Sequence, residues 1–440
     1  AIVIAYEVYK SGSYTLSSYL AVDALGALLL MIVAVVGFAA SIYSIGYLRE
    51  EVKKGIIGFS RVKQYFILFH LFVMAMFFAI ATTSPIMMWI AIEATTLSTA
   101  FLISFYNKPS AMEAAWKYLI INSVGLLLGF LGTLLFFTPL LDLGYHGLVN
   151  WSVIMKNVSH FDPFVIKMAF IFVFIGYGTK VGLAPMHTWR PDAYSKAPTP
   201  IVALFSGALL NVAFLALLRF KTVTDAAIGA SFSSQLFIFF GILSIVIAAF
   251  IMYVQKNYKR LIAYSSIEHA GIMALGFGFG GIGAFAGLLH MIYHSITKSL
   301  LFLTAGNVFL KYSSTKIANV RGMISSLPLT SVIFIIGFLA ITGIPPFGIF
   351  VSEFYILSAG IANHPIASII ALFSFALVFV GFLKHVVAMV FSKEEEEVAK
   401  GEAGIWTILP LIFLTIILII FSIYLPTPVK TLMDAAILIY

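Results

Sequence analysis

The sequence Lys180-Val-Gly-Leu-Ala-Pro185 ends an apolar stretch that covers residues 164–186. An apolar stretch of about twenty residues matches the ~30 Å hydrocarbon thickness of a bilayer at about 1.5 Å rise per residue. Glycine and proline within such a segment free backbone groups that lipid cannot satisfy, so the break must be buried in protein or face a polar cavity. The stretch therefore predicts a membrane helix that is broken inside a protein interior.

A second break, Gly343-Ile-Pro-Pro-Phe-Gly348, lies within an apolar segment that covers residues 328–361. The surrounding chain has the same character throughout. Of its 440 residues, 61% are hydrophobic and 10% are charged, and the mean hydropathy is +1.06. A soluble domain of this length needs far more polar surface. The sequence predicts an all-α, polytopic membrane protein with two broken helices.

Repeated apolar runs divide the chain into about twelve predicted transmembrane segments. They are residues 22–48, 64–83, 85–106, 114–137, 164–186, 198–220, 232–254, 258–279, 282–311, 328–361, 365–392 and 405–425. Lysine and arginine concentrate in the loops that follow the odd-numbered segments, as is typical of cytoplasmic loops. This bias predicts that both termini of the chain lie on the non-cytoplasmic side of the cell (inner, or cytoplasmic) membrane. It also explains the net charge of +8 without a nucleic-acid partner.

An internal repeat links the two halves of the chain. Ala203-Leu-Phe-Ser206 recurs as Ala371-Leu-Phe-Ser374, and the acids and breaks of the two halves follow in the same order. Five helices per unit is an odd number, so the second copy would be inverted in the membrane. The alternative is chance similarity between hydrophobic helices. The predicted division is an N-terminal helix and loop (1–63), a first repeat (64–221), a second, inverted repeat (232–392), and a loop with the C-terminal helix (393–440), in which the four glutamates at 394–397 are interpreted as solvated.

Ionisable side chains recur inside the apolar segments, where each costs about 2.5–3.5 kcal/mol at the bilayer centre and so needs a partner or a task. The strongest candidates for an ion pathway are Glu93, Lys180, His290, His294, Lys298 and Glu353. Secondary candidates are Lys117, Glu268, His269, Lys384 and His385. We expect these groups to line a hydrated interior and to carry protons, or to exchange protons for another cation, across the bilayer.

Glu93 and Lys180 are candidates for one functional pair. A carboxylate near a buried lysine favours the protonated amine, so moving the carboxylate switches the lysine between holding and releasing a proton. The alternatives are a structural ion pair for Glu93 and snorkelling to the interface for Lys180. Lys117, Lys384 and His385 lie near helix ends, where the alternative is an interfacial anchor.

His290, His294 and Lys298 recur every four residues, which places them on one face of a helix. Titratable groups one turn apart can form a proton wire with intervening water. The spacing of the two histidines also suits a metal ion, but the segment has no HExxH glutamate and no clear third ligand. We therefore expect a proton relay and no bound metal.

The chain has no cysteine, so it cannot ligate an iron–sulfur cluster through thiolates. Any redox chemistry must therefore take place on another subunit. We expect this chain to hold no cofactor and to perform no bond chemistry on a substrate.

Four motifs together carry a resemblance to a known family. They are Lys180-Val-Gly-Leu-Ala-Pro-Met-His-Thr-Trp-Arg-Pro-Asp-Ala-Tyr-Ser-Lys-Ala-Pro198, Lys259-Arg-Leu-Ile-Ala-Tyr-Ser-Ser266, His290-xxx-His294-xxx-Lys298-Ser-Leu-Leu-Phe-Leu303, and Gly343-Ile-Pro-Pro-Phe-Gly348 leading to Ser352-Glu353. Through them the chain resembles, over nearly its whole length, the antiporter-like subunits shared by respiratory complex I, Mrp cation/proton antiporters and membrane-bound NiFe hydrogenases.

The resemblance implies a pump module with discontinuous helices and a central hydrophilic axis. Glu93 then matches the family's glutamate, Lys180 its paired lysine, the face from His290 to Lys298 the central relay, and Glu353 the terminal charged residue. Many members carry a lysine on the helix after the first break, where this chain has Asn211. Asparagine holds no proton at neutral pH, so water or the histidines would bridge that step. The family usually has two further N-terminal helices, and residues 1–9 are interpreted as the end of an earlier helix.

Asn211 and Ser266-Ile-Glu-His-Ala270 are most similar to the large antiporter-like subunit of hydrogenase-4, formate hydrogenlyase and related energy-converting hydrogenases. This resemblance implies other membrane subunits and a peripheral redox arm with iron–sulfur clusters and a NiFe subunit as partners. It also implies redox-driven movement of H⁺, with or without Na⁺. The alternatives are an Mrp-type antiporter subunit, a complex I antiporter-like subunit, and a structural membrane scaffold.

Overall fold

The computed structural model describes residues 1–145, 147–393 and 398–438, without the side chains of residues 141 and 142. The acidic run at 394–397, interpreted above as solvated, lies outside the described residues. Most of the described chain is helical, and many of the helices are long and apolar, which confirms the all-α membrane class. A short antiparallel hairpin of β1 (Ser13–Ser17) and β2 (Leu20–Asp23) precedes the long helices.

The helices are numbered in chain order. They are α1 (Ile2–Ser11), α2 (Ala24–Lys53), α3 (Phe59–Ala81), α4 (Pro85–Ile103), α5 (Pro109–Leu135), α6 (Thr138–Asp142), α7 (Trp151–Lys156), α8 (Pro163–Val181), α9 (Trp189–Lys196), α10 (Thr199–Leu204), α11 (Leu210–Ile228), α12 (Ser231–Tyr253), α13 (Tyr258–Phe279), α14 (Ile282–Tyr312), α15 (Met323–Ser326), α16 (Pro328–Ile341), α17 (Gly348–Ile361), α18 (Pro365–Val390), α19 (Ile405–Ile423) and α20 (Thr427–Ile437). A π-helical segment, Phe205–Leu209, joins α10 to α11, and short 3-10 turns cover Val158–His160 and Ile317–Asn319.

Proline marks where several of these helices begin. A proline in the first helical turn lacks an N–H that would be unpaired there in any case, and its fixed φ suits the helix. The examples are Pro85, Pro109, Pro163, Pro328 and Pro365. These starts account for the boundaries between successive apolar segments.

Nine helices within the described ranges are long and apolar enough to cross a membrane. The other three predicted segments are also helical: they are α13, α14, and the pair of short helices α16 and α17. Each predicted segment therefore coincides with a helix or with a broken pair of helices. The number of crossings, the inverted repeat and its boundaries remain predictions.

Both breaks lie where the sequence predicts them. After α8 ends at Val181, Gly182 adopts a left-handed φ of 76° and the chain turns towards α9. Between α16 and α17, Gly343 adopts a φ of 65°. Glycine takes these values readily because it has no Cβ to clash with the backbone. The peptide bonds before Pro185 and Pro346 are cis.

The continuous segment Thr199–Ile228 lies at the centre of the molecule, and its most apolar part is completely buried. Beside it lie α13 and α14, and nearly all of their residues are buried. Outer helices instead present large apolar side chains to the surroundings, for example Leu71, Leu127, Phe250 and Ile369. Lipid tails match such a surface. The polar groups of α13 and α14 are therefore held away from lipid.

Candidate ion pathway

Lys180 occupies the last turn of α8 and is fully buried. Its ammonium donates hydrogen bonds to the hydroxyl of Thr96 at 2.8 Å and to that of Tyr118 at 2.9 Å. The same nitrogen lies 5.1 Å from the centroid of the Tyr118 ring. The side chain therefore does not snorkel to a surface, and its hydrogen-bond partners are neutral hydroxyl groups.

Close packing of α5 on α8 brings these groups together. A Cβ added to Gly176 on α8 would lie 2.4 Å from the Cα of Gly129 on α5. Small residues at a contact allow two helix backbones to approach closely. The approach brings Tyr118 of α5 within hydrogen-bond reach of Lys180.

Glu93 lies on α4, one turn before Thr96, and is partly buried. Ser123 donates a hydrogen bond to its Oε1 at 3.0 Å, whereas its Oε2 is buried without a hydrogen-bond partner among the described residues. The charges of Glu93 and Lys180 act on each other electrostatically. Glu93 and Lys180 therefore interact electrostatically, and Thr96, which accepts a hydrogen bond from Lys180, lies on the helix that carries Glu93.

His290, His294 and Lys298 lie along one face of α14, and all three are fully buried. The Nδ1 atom of His269, on α13, lies 2.9 Å from Nε2 of His290. The Nδ1 atom of His290 lies 2.9 Å from Oγ of Ser352, on α17. A hydrogen-bonded chain of side chains thus crosses three helices.

His294 lies beside this chain. Its ring centroid is 5.3 Å from that of His269 and 6.4 Å from that of His290. Both of its ring nitrogens are buried, and neither has a hydrogen-bond partner in the described part of the chain. Buried polar atoms are normally satisfied by protein or by ordered water. The three imidazoles do not form a metal-binding group, and among the described residues no set of three or more His, Asp or Glu side chains does.

Lys298 is held by α13. Its ammonium donates to Oγ of Ser265 at 2.6 Å and to the carbonyl oxygen of Ile262 at 2.9 Å. Glu268 lies one turn further along α13, is 3% exposed, and has its Oε2 3.9 Å from Nε2 of His269. A buried base and a buried acid therefore flank the histidines.

Glu353 follows the second break and packs against it. A Cβ added to Gly343 would lie 2.2 Å from Oε2 of Glu353, so glycine at this position leaves room for the carboxylate. The preceding residue, Ser352, is the one that bonds to His290. The carboxylate is therefore one residue away from the end of the histidine chain.

Asn211 lies in the first turn of α11, directly after the π-helical segment. Its Nδ2 donates to Oγ of Ser295 at 2.6 Å, and its Oδ1 is buried without a hydrogen-bond partner among the residues described. Ser295 belongs to α14 next to His294. The asparagine is therefore in contact with the helix that carries the histidines.

Arg190 connects the break after Lys180 to α13. Its guanidinium is buried and donates to the carbonyl oxygens of Val181 and Ser266, the second at 3.3 Å. A fixed positive charge thus lies between the Lys180 cluster and Lys298. The sequence indicates only a polar turn at this position.

Three secondary candidates are not part of the row of buried pathway residues that includes Lys180, Lys298 and His290. Lys117 has a side chain that is 48% exposed and pairs with an acid one turn earlier at 2.5 Å. Lys384 is exposed, with its ammonium 5.0 Å from the centroid of the Tyr253 ring. His385 is buried, and its Nε2 lies 3.2 Å from the carbonyl oxygen of Met252. Lys117 and Lys384 are thus exposed and His385 is buried, and the choice between pathway and anchor for these three residues stays a prediction.

Sequence reasoning missed the hydroxyl groups that hold the charged ones. Tyr118 and Thr96 hold Lys180, Ser265 holds Lys298, and Ser352 holds His290. Serine, threonine and tyrosine are common in apolar helices, so their type alone gives no signal. Only their position one turn from a charged residue, or beside one, could have indicated them.

Two family descriptions match the chain. The description "NADH:quinone oxidoreductase/Mrp antiporter, TM" matches residues 82–380. The description "NADH-Ubiquinone oxidoreductase (complex I), chain 5 N-terminus" matches residues 9–55.

Relatives of known description agree with this match. The chain is 38% identical over 352 residues to the hydrogenase-4 component F homolog of Methylacidiphilum infernorum (isolate V4), covering 79% of this chain and 74% of that protein. It is 30% identical over 363 residues to the chloroplastic NAD(P)H-quinone oxidoreductase subunit 5 of Glycine max, covering 80% of this chain. The chain spans 46% of the length of that chloroplast relative.

A solved structure shares the architecture over the whole chain. A chain of the membrane-bound sulfane sulfur reductase, an archaeal respiratory membrane complex, superposes with a TM-score of 0.87 at 26% identity. The superposition covers 100% of this chain and 88% of that one.

Proposed function

The chain belongs to the NADH:quinone oxidoreductase/Mrp antiporter membrane family, and from that premise we propose that it moves protons, or exchanges H⁺ for Na⁺, as a membrane subunit of a redox-driven energy-converting complex. The route runs along Glu93, Lys180, the His290–His294–Lys298 face and Glu353, with Asn211, Glu268 and His269 beside it. A potential of about 100 mV opposes each transferred charge by about 2.3 kcal/mol, and the redox reaction must exceed that value.

One observation carries this proposal: the hydrogen-bonded chain from His269 through His290 to Ser352, with His294 beside it. Imidazole can accept a proton at one nitrogen while it donates one from the other. Neither ring nitrogen of His294 has a partner among the described residues, and water is the partner that we propose for them. A hydrated chain of this kind can pass protons through a region that excludes lipid.

We assign the complex to the membrane-bound NiFe hydrogenase type. The similarity to a hydrogenase-4 component F homolog supports this assignment. The chain has no cysteine, so iron–sulfur clusters would belong to partner subunits, which form a peripheral arm together with a NiFe subunit. The complex would lie in the inner (cytoplasmic) membrane of the cell, with both termini of this chain outside the cytoplasm, as the loop charges favour.

A second candidate is a membrane subunit of a sulfur-reducing respiratory complex. The superposition on the sulfane sulfur reductase chain favours it. The same ion pathway would then be driven by a different redox arm. An Mrp-type antiporter subunit, which needs no redox arm, is the third candidate.

Purification of the native complex through this chain distinguishes the three candidates. Elemental analysis of the detergent-purified complex should find nickel and iron for a hydrogenase, iron without nickel for a sulfur reductase, and neither metal for an Mrp-type antiporter. A complex with neither metal would contradict the redox-driven proposal.

Transport by the same complex in proteoliposomes tests the function itself. Reduced methyl viologen as electron donor should produce a change in internal pH that stops when the donor is exhausted. An antiporter without a redox arm would instead respond to an imposed pH gradient alone. Transport that Lys180→Ala leaves unchanged would favour a structural scaffold and contradict the proposed pathway.

A further inference from the structure

A second buried ionisable cluster lies at the ends of helices, away from the row of histidines. Glu51 is in the last turn of α2, and Tyr47 is one turn earlier. Tyr106 follows α4, Thr199 begins α10, and Lys259 is in the first turn of α13. The adjoining loops are those that the sequence predicts to be cytoplasmic. We call these five residues the Glu51 cluster.

The carboxylate of Glu51 is held by tyrosine hydroxyls. The hydroxyl of Tyr106 donates to Oε1 of Glu51 at 2.5 Å and lies 3.2 Å from the hydroxyl of Tyr47. Glu51 is fully buried, and its Oε2 has no hydrogen-bond partner in the described residues. One carboxylate oxygen is therefore available for a proton or a water molecule.

Lys259 completes the cluster as its buried base. It is 3% exposed, and its ammonium donates to Oγ1 of Thr199 at 2.9 Å. Its charge and that of Glu51 act on each other electrostatically. The hydroxyl of Tyr47 lies beside both Thr199 and Glu51. Hydroxyl groups therefore link the acid to the base.

The cluster repeats the arrangement around Lys180. In both places a buried lysine donates to a threonine hydroxyl, a tyrosine lies beside the threonine or the lysine, and a nearby glutamate has one buried carboxylate oxygen without a partner. Burying two opposite charges costs several kcal/mol per ion, and apolar residues are often as stable in their place. A second copy of this costly arrangement indicates a function in charge transfer.

Helix α13 joins the cluster to the pathway. Lys259 precedes Ser265 by six residues, about 9 Å along the helix axis. Ser265 accepts a hydrogen bond from Lys298, as does the carbonyl oxygen of Ile262, one turn from Lys259. Among the proposed pathway residues, Lys298 is therefore the one whose partners on α13 lie nearest to Lys259.

We propose that Glu51 and Lys259 form a further protonatable site of the translocation route, at its end beside the lysine- and arginine-rich loops, and that protons pass between this site and Lys298. Each step is a proton transfer alone: the Lys259 ammonium gives its proton to the next acceptor, and the Glu51 carboxylate takes up one from the solvent. Transfer of that proton from the Glu51 carboxyl group to the Lys259 amine restores both groups. The inference rests on the proposed function and extends the same route.

Glu51→Gln in the intact complex tests the proposal. Glutamine keeps an oxygen that can accept from Tyr106 but cannot bind a proton. Proton uptake into proteoliposomes, driven by reduced methyl viologen as electron donor and measured with a trapped pH dye, should fall about tenfold or more. Glu51→Asp, which restores the carboxylate, should recover most of the uptake. A purely structural role predicts no such recovery.

The neighbouring residue supplies a matched control. Glu50 is partly exposed and pairs with Lys53 at 2.6 Å, so Glu50→Gln removes the same charge one position earlier and should leave uptake unchanged. Lys259→Gln, with the exposed Lys256→Gln as its control, is a second test that does not depend on Glu51. If the Glu51→Gln variant fails to assemble with its partners, the Lys259→Gln variant decides whether the Glu51 cluster is part of the route.

Lys180→Met separates this inference from the proposed function. If Lys180→Met abolishes uptake while Glu51→Gln and Lys259→Gln leave it unchanged, the Glu51 cluster is not part of the route, and the proposed function stands. If all three variants transport normally, the proposed function fails and the inference fails with it. Loss of uptake in all three, with normal controls, supports both.

Discussion

The ammonium of Lys180 donates a hydrogen bond to the hydroxyl of Tyr118 at 2.9 Å. Its second partner, Thr96, is also a hydroxyl. A lysine held by neutral groups can lose its proton without leaving an unpaired carboxylate in direct contact. This environment suits reversible protonation better than a tight ion pair does.

Replacement of Lys180 by methionine should abolish most proton transport. Methionine fills a similar volume but holds no proton, so transport should fall by about tenfold or more. Proton uptake by proteoliposomes that contain the complex measures the effect. The control is Lys117→Met, since Lys117 is 48% exposed and outside the row. Equal losses in the two variants would contradict a special role for Lys180.

The two histidines of α14 should respond differently to replacement by phenylalanine. His290→Phe removes two hydrogen bonds and leaves Nδ1 of the buried His269 without its partner, at a cost of about 1–3 kcal/mol in unfolding free energy. His294→Phe removes ring nitrogens that no described residue satisfies, so the stability should change less. Both variants should lose proton transport.

Thermal unfolding in detergent and proteoliposome transport measure these two effects. The exposed His70→Gln is the control for both. A large loss of stability with normal transport in His290→Phe would show that the histidine chain is structural only.

Gly343→Ala should destabilise the second break and displace Glu353. The added Cβ would lie 2.2 Å from the carboxylate, and the φ of 65° is unfavourable for alanine. We expect a loss of about 2 kcal/mol or more in unfolding free energy, together with reduced transport. Thermal unfolding and proton uptake measure the two effects. Gly58→Ala is the control, because a Cβ there meets no atom within 4 Å and its φ is −96°. Gly343→Ala with normal stability would contradict the close contact.

Asp23→Asn should lower stability at neutral pH and have little effect in acid. Burial raises the pKa of Asp23, but the ion pair with Arg219 and the hydrogen bond from the Gly26 N–H outweigh burial, so the pKa lies below the ordinary value of 3.8. A depressed pKa contributes stability above the unfolded-state value, and this contribution is lost as the pH falls through the folded-state value.

Asparagine still caps α2 well, so this variant isolates the ionic contribution. Unfolding should be easier by about 1 kcal/mol at pH 7, and the difference should shrink below about pH 4. Thermal unfolding of the two proteins across this pH range is the measurement. A difference that stays constant with pH would show that the effect is not ionic.

The membrane class and both breaks are predictable from the sequence because their signals are local. The length of an apolar run determines whether a segment can cross the membrane. The glycines at positions 182 and 343 end their helices however these helices pack against the rest of the protein. The common face of His290, His294 and Lys298 is predictable too, since it follows from helix geometry alone. By contrast, the contact between His269 and His290 depends on how α13 packs against α14.

The surroundings of the charged residues are not predictable from the sequence, because they too depend on how the helices pack against one another. The hydroxyls that hold Lys180 come from α4 and α5, and only the close approach of α5 and α8 brings Tyr118 into reach. Lys259 and Glu51 lie at helix ends, where sequence patterns indicate solvated or interfacial residues. Their burial results from the packing of α2, α10 and α13 against one another.

The π-helical segment Phe205–Leu209 allows side chains on one side of a helix to contact two neighbouring helices. In a regular α-helix, residues five apart point about 140° away from each other, whereas a π turn closes on the fifth residue and returns it to the same side. Ser206 can therefore reach Ser266 on α13 while Asn211 reaches Ser295 on α14. Tightening of this turn to α geometry would rotate the two side chains apart and break at least one of these contacts. A local rotation could thus alter the polar interior while the surrounding helices stay in place.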